Sequence, residues 1–181
     1  MGYGTLIAGV YFVAILLLSC YVYADSMNRI SAISWKSLEV ASDIQFERLK
    51  SGLSISQVQV QHGQSPLYLD AINDGTITIS RVGFSKMDVI LTYTDKATDL
   101  PKTIWCYYNS SDTSRCRWRL DPSFPSNPHP SIVNPLDWDP SETLSLIIEI
   151  PASGEFKAKT SGYVKVVLPQ GSSNGLSFQV P

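Results

Sequence analysis

No charged side chain occurs between Met1 and Ala24, and every Asp, Glu, Lys and Arg of the chain lies from Asp25 onward. That one-sided layout constrains the fold more than any other feature. Such a stretch belongs in lipid or in the apolar interior of an assembly. As a helix rising 1.5 Å per residue it extends about 36 Å, against a bilayer hydrocarbon core of about 30 Å. Its Leu, Ile, Val and Phe residues together favour insertion by roughly 3–6 kcal/mol. The side chains expected in lipid or against neighbouring helices are Leu6, Ile7, Val10, Phe12, Val13, Ile15, Leu16, Leu17 and Leu18, with Tyr21 and Tyr23 at the outer interface. A cleaved secretory signal needs a basic n-region and a small-residue cleavage site. No Lys or Arg precedes the apolar run, and Ser19-Cys20-Tyr21 has bulky neighbours, so an uncleaved anchor is expected.

The partition that follows is a transmembrane helix over 1–24, a polar helical stalk over 25–52 and an extracellular β-sandwich domain over 53–181. Asp25 to Lys50 lacks Pro and Gly and ends at Ser51-Gly52, a helix stop signal. Met27, Ile30, Ile33, Val40, Ile44 and Leu49 fall mostly at helical spacing, and the eight charges are balanced four to four. This stretch is either an exposed spacer or a stripe that packs against a copy of itself or a filament neighbour, and Ser37 interrupts the stripe. The remaining roughly 130 residues suffice for one domain with its own core. A net charge of −2 without a basic cluster gives no electrostatic case for nucleic acid.

Beyond Gly52 the apolar period changes from helix to strand. Leu67, Leu69 and Ala71 alternate with Tyr68 and Asp70, and Asn73-Asp74-Gly75 supplies a tight turn before Ile77 and Ile79. Met87, Val89, Leu91 and Tyr93 share one face, and Leu144, Leu146, Ile148 and Ile150 form the longest alternation. Tyr163–Leu168 and Leu176–Val180 close the chain around Gly171 and Asn174-Gly175. The fold class is therefore α+β: one long N-terminal helix, then an all-β antiparallel sandwich of immunoglobulin-like type.

Cys106 and Cys116 flank Tyr107 to Ser111 on an expected hairpin. They are either bridged, closing a short loop worth roughly 2–3 kcal/mol, or two buried thiols. Cys20, inside the apolar stretch, behaves as a small hydrophobe. Asn109-Ser110-Ser111 is a glycosylation acceptor pattern, and with the cysteine pair it argues for a head outside the cell. Alternation puts Ile104, Tyr108 and Trp118 on the cysteine face. Trp105, Tyr107, Arg115, Arg117 and Arg119 fall on the other. That second face is either a solvated surface or a patch that binds carboxylates or sugar rings. Pro122, Pro125, Pro128, Pro130, Pro135 and Pro140 exclude a central strand. They imply an extended loop through Ile132, Val133 and Leu136, anchored by Trp138. His62 and His129 stand beside no nucleophile motif, and Asp137 and Asp139 are two carboxylates without further ligands. No catalytic, metal or cofactor site is expected.

Several short motifs carry a family likeness. Gly2-Tyr3-Gly4-Thr5-Leu6-Ile7 before the apolar helix resembles mature archaeal flagellins (archaellins). Val22-Tyr23 with Asn28, then a polar helix through Glu39-Val40-Ala41 to Leu49, is similar to the archaellum accessory protein F family. The run from Leu67 to Ile77 resembles the strand, Asn, Gly, strand pattern of archaellins and of accessory proteins F and G. Trp138 to Leu144, and Val164 to Val167 followed by Asn174-Gly175, resemble their closing strands.

The resemblance implies an archaeal cell-surface protein of the motility machinery. Members of the F family are anchored in the cytoplasmic membrane by the helix, hold the sandwich outside and bind the S-layer. With accessory protein G they form a stator around the rotating filament. The partners implied are membrane lipid or copies of itself through the helix, as a homo-oligomer, and S-layer or other archaellum proteins through the head. Archaellins and type IV pilin-like subunits instead bundle their helices in a filament core. Their precursors carry a basic leader, whereas this sequence opens on Met1-Gly2, and a misplaced start codon would hide such a leader. The stator is the leading expectation and the filament subunit its rival. A third is a membrane-tethered module that binds carbohydrate or protein through the arginine and aromatic face.

Overall fold

A computed structural model describes residues 3–60, 66–124, 127–129, 137–151 and 154–181, apart from the side chains of residues 5 and 6. Met1, Gly2, His62, Pro125, Pro130, Ile132, Val133, Pro135, Leu136 and the side chain of Leu6 lie outside the described residues. Two compact units make up the chain, Met1–Gln45 and Phe46–Pro181.

One unbroken helix, α1, runs Tyr3–Lys50. Neither Pro nor Gly interrupts it after Gly9. Its serines satisfy themselves within the helix: Ser19, Ser26 and Ser37 donate to the carbonyls of Ile15, Val22 and Ile33 at 2.8–2.9 Å. Within the first unit the apolar side chains lie exposed around the whole circumference up to Tyr23. A helix apolar on all sides is the pattern of a membrane span or of the interior of a bundle.

The second unit takes up the last turn of α1 and the head. The head's elements are β1 (Ser54–Val60), β2 (Leu67–Ile72), a single helical turn α2 (Arg81–Phe84), β3 (Asp88–Thr94), β4 (Pro101–Tyr108), β5 (Arg117–Leu120), β6 (Thr143–Glu149), β7 (Ser161–Val167) and β8 (Ser173–Gln179). They form one sheet in the order β1-β2-β6-β5-β4-β3-β7-β8. The sheet folds over on itself into a nearly closed sandwich, and Asn174 of β8 donates to the Leu53 carbonyl beside β1 at 3.0 Å. The inward rows are those expected from alternation. Leu67, Leu69 and Ala71, then Val89, Leu91 and Tyr93, then Leu144, Leu146 and Ile148 are all buried, with Phe84, Trp118, Trp138 and Phe156 among the fully buried rings.

Four expectations need correction. The cysteine segment is no hairpin, because β4 and β5 pair in parallel. Ile77 and Ile79 do not continue β2 as a strand, and only Ile79 makes an isolated bridge, to Trp138. Asn174-Gly175 lies inside β8 and not in a turn. The turn before β8 instead centres on Gly171, whose φ of +92° lies in the left-handed region. Asn73-Asp74-Gly75 does turn the chain, but it serves the entry of α1 and not a hairpin.

That entry is tightly built. A Cβ on Gly52 would lie 2.3 Å from Asp74 Oδ1, and one on Gly75 would lie 2.3 Å from the Gly52 nitrogen. The two backbones approach closely because both residues lack side chains. Thr76 N donates to the Lys50 carbonyl at 2.8 Å, and Ser172 Oγ reaches the Arg48 carbonyl at 3.1 Å, so helix-end acceptors find partners in the head. Asn73, fully buried, holds the turn: its amide donates to the carbonyls of Ile77 and Trp138, and its oxygen accepts from Gly75 N.

Candidate functional surface

The cysteine loop is built from the strand ends inward. Cys106 and Cys116 are joined in a disulfide. The chain leaves β4 at Tyr108 and turns at Asn109 with φ +49°. It returns through Cys116, so that Tyr107 N donates to Cys116 O and Asn109 N to Trp118 O. A parallel pair normally needs a crossover of a dozen or more residues. Here a shorter loop suffices, because only Tyr107–Arg117 and Tyr108–Trp118 pair and the disulfide pins the neck. Within the loop Asp112 accepts from Ser114 Oγ at 2.6 Å and Ser114 N at 2.9 Å. The Ser114 hydroxyl first, then its amide and the Arg115 charge, hold the Asp112 carboxyl below its ordinary range. Asn109 is exposed.

Alternation sorts this segment as expected. Cys106, Cys116 and Trp118 face the core, with Ile104 and Tyr108 packed beside them. Trp105 is 57 % exposed and Tyr107 50 %, on the opposite face with Arg119. The arginines are not free: β6 brings Glu149 between Arg117 and Arg119. Arg117 Nε donates to Glu149 Oε2 at 2.5 Å, and Arg119 Nη2 to Oε1 at 3.2 Å. Arg115 pairs with Asp112 at 3.2 Å and lies 5.4 Å from the Tyr107 ring centre. The face is thus a pair of exposed rings beside charge-compensated guanidinium groups. Sequence reading missed Glu149. Its position one before the inward Ile150 already placed it outward, but not beside β5.

Two other groupings lose their catalytic interest on geometry. Ser145 Oγ donates to Asp70 Oδ1 at 2.6 Å and lies 3.0 Å from His129 Nε2. The serine stands between carboxylate and imidazole, so the histidine cannot relay its proton to the acid. It is also only 2 % exposed. Asp137 and Asp139 are engaged locally, by Arg81 N at 3.1 Å and Thr78 Oγ1 at 2.5 Å. Among the described residues no three His, Cys, Asp or Glu side chains are grouped to hold a metal ion.

Beyond Ala24, α1 changes character. At 100° per residue, Asp25, Arg29, Lys36, Glu39, Asp43, Glu47 and Lys50 fall within an arc of about 80°. The rest of the circumference carries Met27, Ile30, Ile33, Trp35, Leu38, Val40 and Ile44, all exposed, with serines between them and Arg48 as the one charge.

Fold and surface together define a class: one apolar helix continued into a disulfide-bearing β-sandwich. No protein-family model and no curated protein matches the chain. Solved structures do. The archaeal flagellum of Methanospirillum hungatei superposes with a TM-score of 0.56 at 11 % identity, over 97 % of this chain and 92 % of that one. The archaellum periplasmic stator protein FlaG of Sulfolobus acidocaldarius gives 0.49 at 16 % identity, over 71 % of this chain and 99 % of that one. The FlaF and FlaG complex from the same organism gives 0.49 at 16 %, over 70 % and 87 %. At 11 % identity the likeness to the Methanospirillum flagellum is one of fold.

Proposed function

We propose that this chain is a surface component of an archaellum-type motility machine. Its helix is anchored in the cytoplasmic membrane, its head lies outside, and it acts as a stator that grips the S-layer. The observation that carries this reading is the course of α1. An uncharged stretch of bilayer length passes without a break into a charge-striped extension and then into a disulfide-closed sandwich. The head's partner surface on this reading is Trp105, Tyr107, Arg115, Arg117 and Arg119, and Asn109 carries the glycan.

One observation favours a filament subunit instead. The likeness to the Methanospirillum flagellum extends over nearly the whole chain, helix included. The two roles part on fractionation of natively made protein. The stator stays with membranes and co-purifies with S-layer protein when the full chain is captured from detergent extracts. Recovery as the major band of sheared filaments would replace the stator role by the filament role. Loss of S-layer capture on replacing Arg115, Arg117 and Arg119 by Ala assigns the patch; unchanged capture removes it. An Asn109→Gln chain that migrates like wild type would remove the glycan.

A further inference from the structure

The outer face of the other half of the sandwich carries a cleft of about 220 Å³, lined by Gln57, Gln59, Tyr68, Asp70, Asp121 and Phe124. None of these belongs to the arginine and aromatic patch. The cleft follows from one irregularity in β1. Ile55 faces the core opposite Ala71, but the register then shifts, so that Gln57 and not Ser56 stands opposite Asp70. Ser56 is the extra residue, and its hydroxyl donates to the Asp70 carbonyl at 3.2 Å. A bulge of this kind changes the parity of everything after it. Val58 and Val60 therefore pack inward, while Gln57 and Gln59 stand outward beside Asp70 and Tyr68.

The floor of the cleft is fixed and its walls are available. Asp70 is held by Ser145 Oγ at 2.6 Å, and Asp121 Oδ1 accepts from Ser123 N at 2.8 Å. Asn127 clamps the Ser145 backbone on both sides, accepting from its N at 3.0 Å and donating to its O at 2.7 Å. The Phe124 ring stacks on His129 at 4.4 Å with 21° between planes, and the phenylalanine remains 40 % exposed. Gln57 and Gln59, by contrast, spend neither amide on the described residues. Two amides unengaged by the described residues, two oriented carboxylates and two rings, with no Lys or Arg in the described lining, suit one kind of ligand. It offers vicinal hydroxyls to the polar groups and a C–H face to an aromatic ring. The carboxylates disfavour an anion. A volume below the roughly 300–1,000 Å³ of drug-sized sites limits the occupant to about one ring.

We propose that this cleft binds a single neutral sugar unit, with Gln57, Gln59, Asp70 and Asp121 holding its hydroxyls and Phe124 or Tyr68 its apolar face. The proposal does not depend on the stator or filament role. The test uses the full chain in a detergent without a sugar headgroup, titrated by calorimetry with glucose, galactose, mannose, N-acetylglucosamine, glucuronate and calcium chloride. At least one neutral sugar should bind, and glucuronate should bind more weakly. Gln57→Ala and Phe124→Ala should each weaken that sugar about tenfold, while Trp105→Ala leaves it unchanged. The proposal is overturned if no neutral sugar binds at high millimolar concentration, or if calcium alone binds. It is equally overturned if Trp105→Ala weakens the sugar as much as Gln57→Ala does, which would move the site to the arginine and aromatic face.

Discussion

Asn73→Ala should destabilise the head by about 3 kcal/mol, through three hydrogen bonds that no neighbouring group can replace. The side-chain amide donates to Trp138 O at 3.0 Å and Ile77 O at 2.9 Å, and its oxygen accepts from Gly75 N at 3.1 Å. Asn73 is fully buried, so water does not fill in. Trp138 O keeps a second donor, Ile79 N at 2.9 Å, which moderates its loss. Ile77 and Gly75 are half-buried and lose roughly 0.5–1.5 kcal/mol each. For a unit of this size the sum corresponds to roughly 10 °C in Tm. Near-ultraviolet circular dichroism of the full chain in micelles reads the transition. Asn73→Asp separates this account from simple loss of volume. It keeps the acceptor for Gly75 N but turns a carboxylate toward two carbonyls, so it should be at least as damaging as Ala. Asp74→Ala, at an exposed position, should stay within about 0.5 kcal/mol of wild type. If Asn73→Ala costs under about 1 kcal/mol, or Asn73→Asp is the milder change, the hub reasoning fails.

Three further outcomes follow from the head. Replacing Cys106 and Cys116 together by Ser should cost about 3 kcal/mol by the chain-entropy estimate for so short a loop; Cys20→Ser should leave the Tm unchanged, and equal melting of the double variant and wild type would refute the loop's role. Burial first, then the Asp95 charge, raises the Tyr93 pKa. The proton is therefore held more tightly in the folded state. Its contribution is full below the unfolded value near 10 and is lost as pH rises through the folded one. Tyr93→Phe should flatten Tm against pH above about pH 10 and, because the Tyr93 hydroxyl is buried without a partner among the described residues, should not destabilise at neutral pH. A double-mutant cycle on Arg117 and Glu149 should return a coupling of about 1 kcal/mol, and one near zero would mark the pair as a solvated contact.

The strands were legible wherever one face meets the core, because a period of two leaves a clear trace in Leu144, Leu146, Ile148 and Ile150 or in Val89, Leu91 and Tyr93. What the period does not encode is which strand lies next to which. Cys106 and Cys116 suggested a hairpin, since short connections nearly always join antiparallel strands. Here the loop returns beside β4 in the same direction. The strand order also brings Glu149 to Arg117 and Arg119 from a distance of about thirty residues in sequence. The cleft was hidden for a subtler reason. Nothing was read from Ile55, Ser56, Gln57 and Val58, whose apolar residues keep no single period, and only the register with Asp70 shows a bulge that turns both glutamines outward.

The helix beyond Ala24 poses the last question, because its charges are not distributed as a spacer in water would place them. A stalk solvated on all sides has no reason to confine seven charges to about 80° of its circumference. The prediction drawn from that confinement is that the remaining arc packs against protein; Met27, Leu38 and Trp35 on that arc are all more than half exposed in the single chain. Copies of the same helix satisfy the pattern, with the charged stripe turned outward and the apolar and serine arc inward, in a stator oligomer or in a filament. In a Cys20→Ser background, Leu38→Cys should form a disulfide dimer under mild oxidation in membranes, and Lys36→Cys, about 160° away round the helix, should not. Dimers through position 36 with none through 38 would put the charged stripe at the contact and refute the bundle.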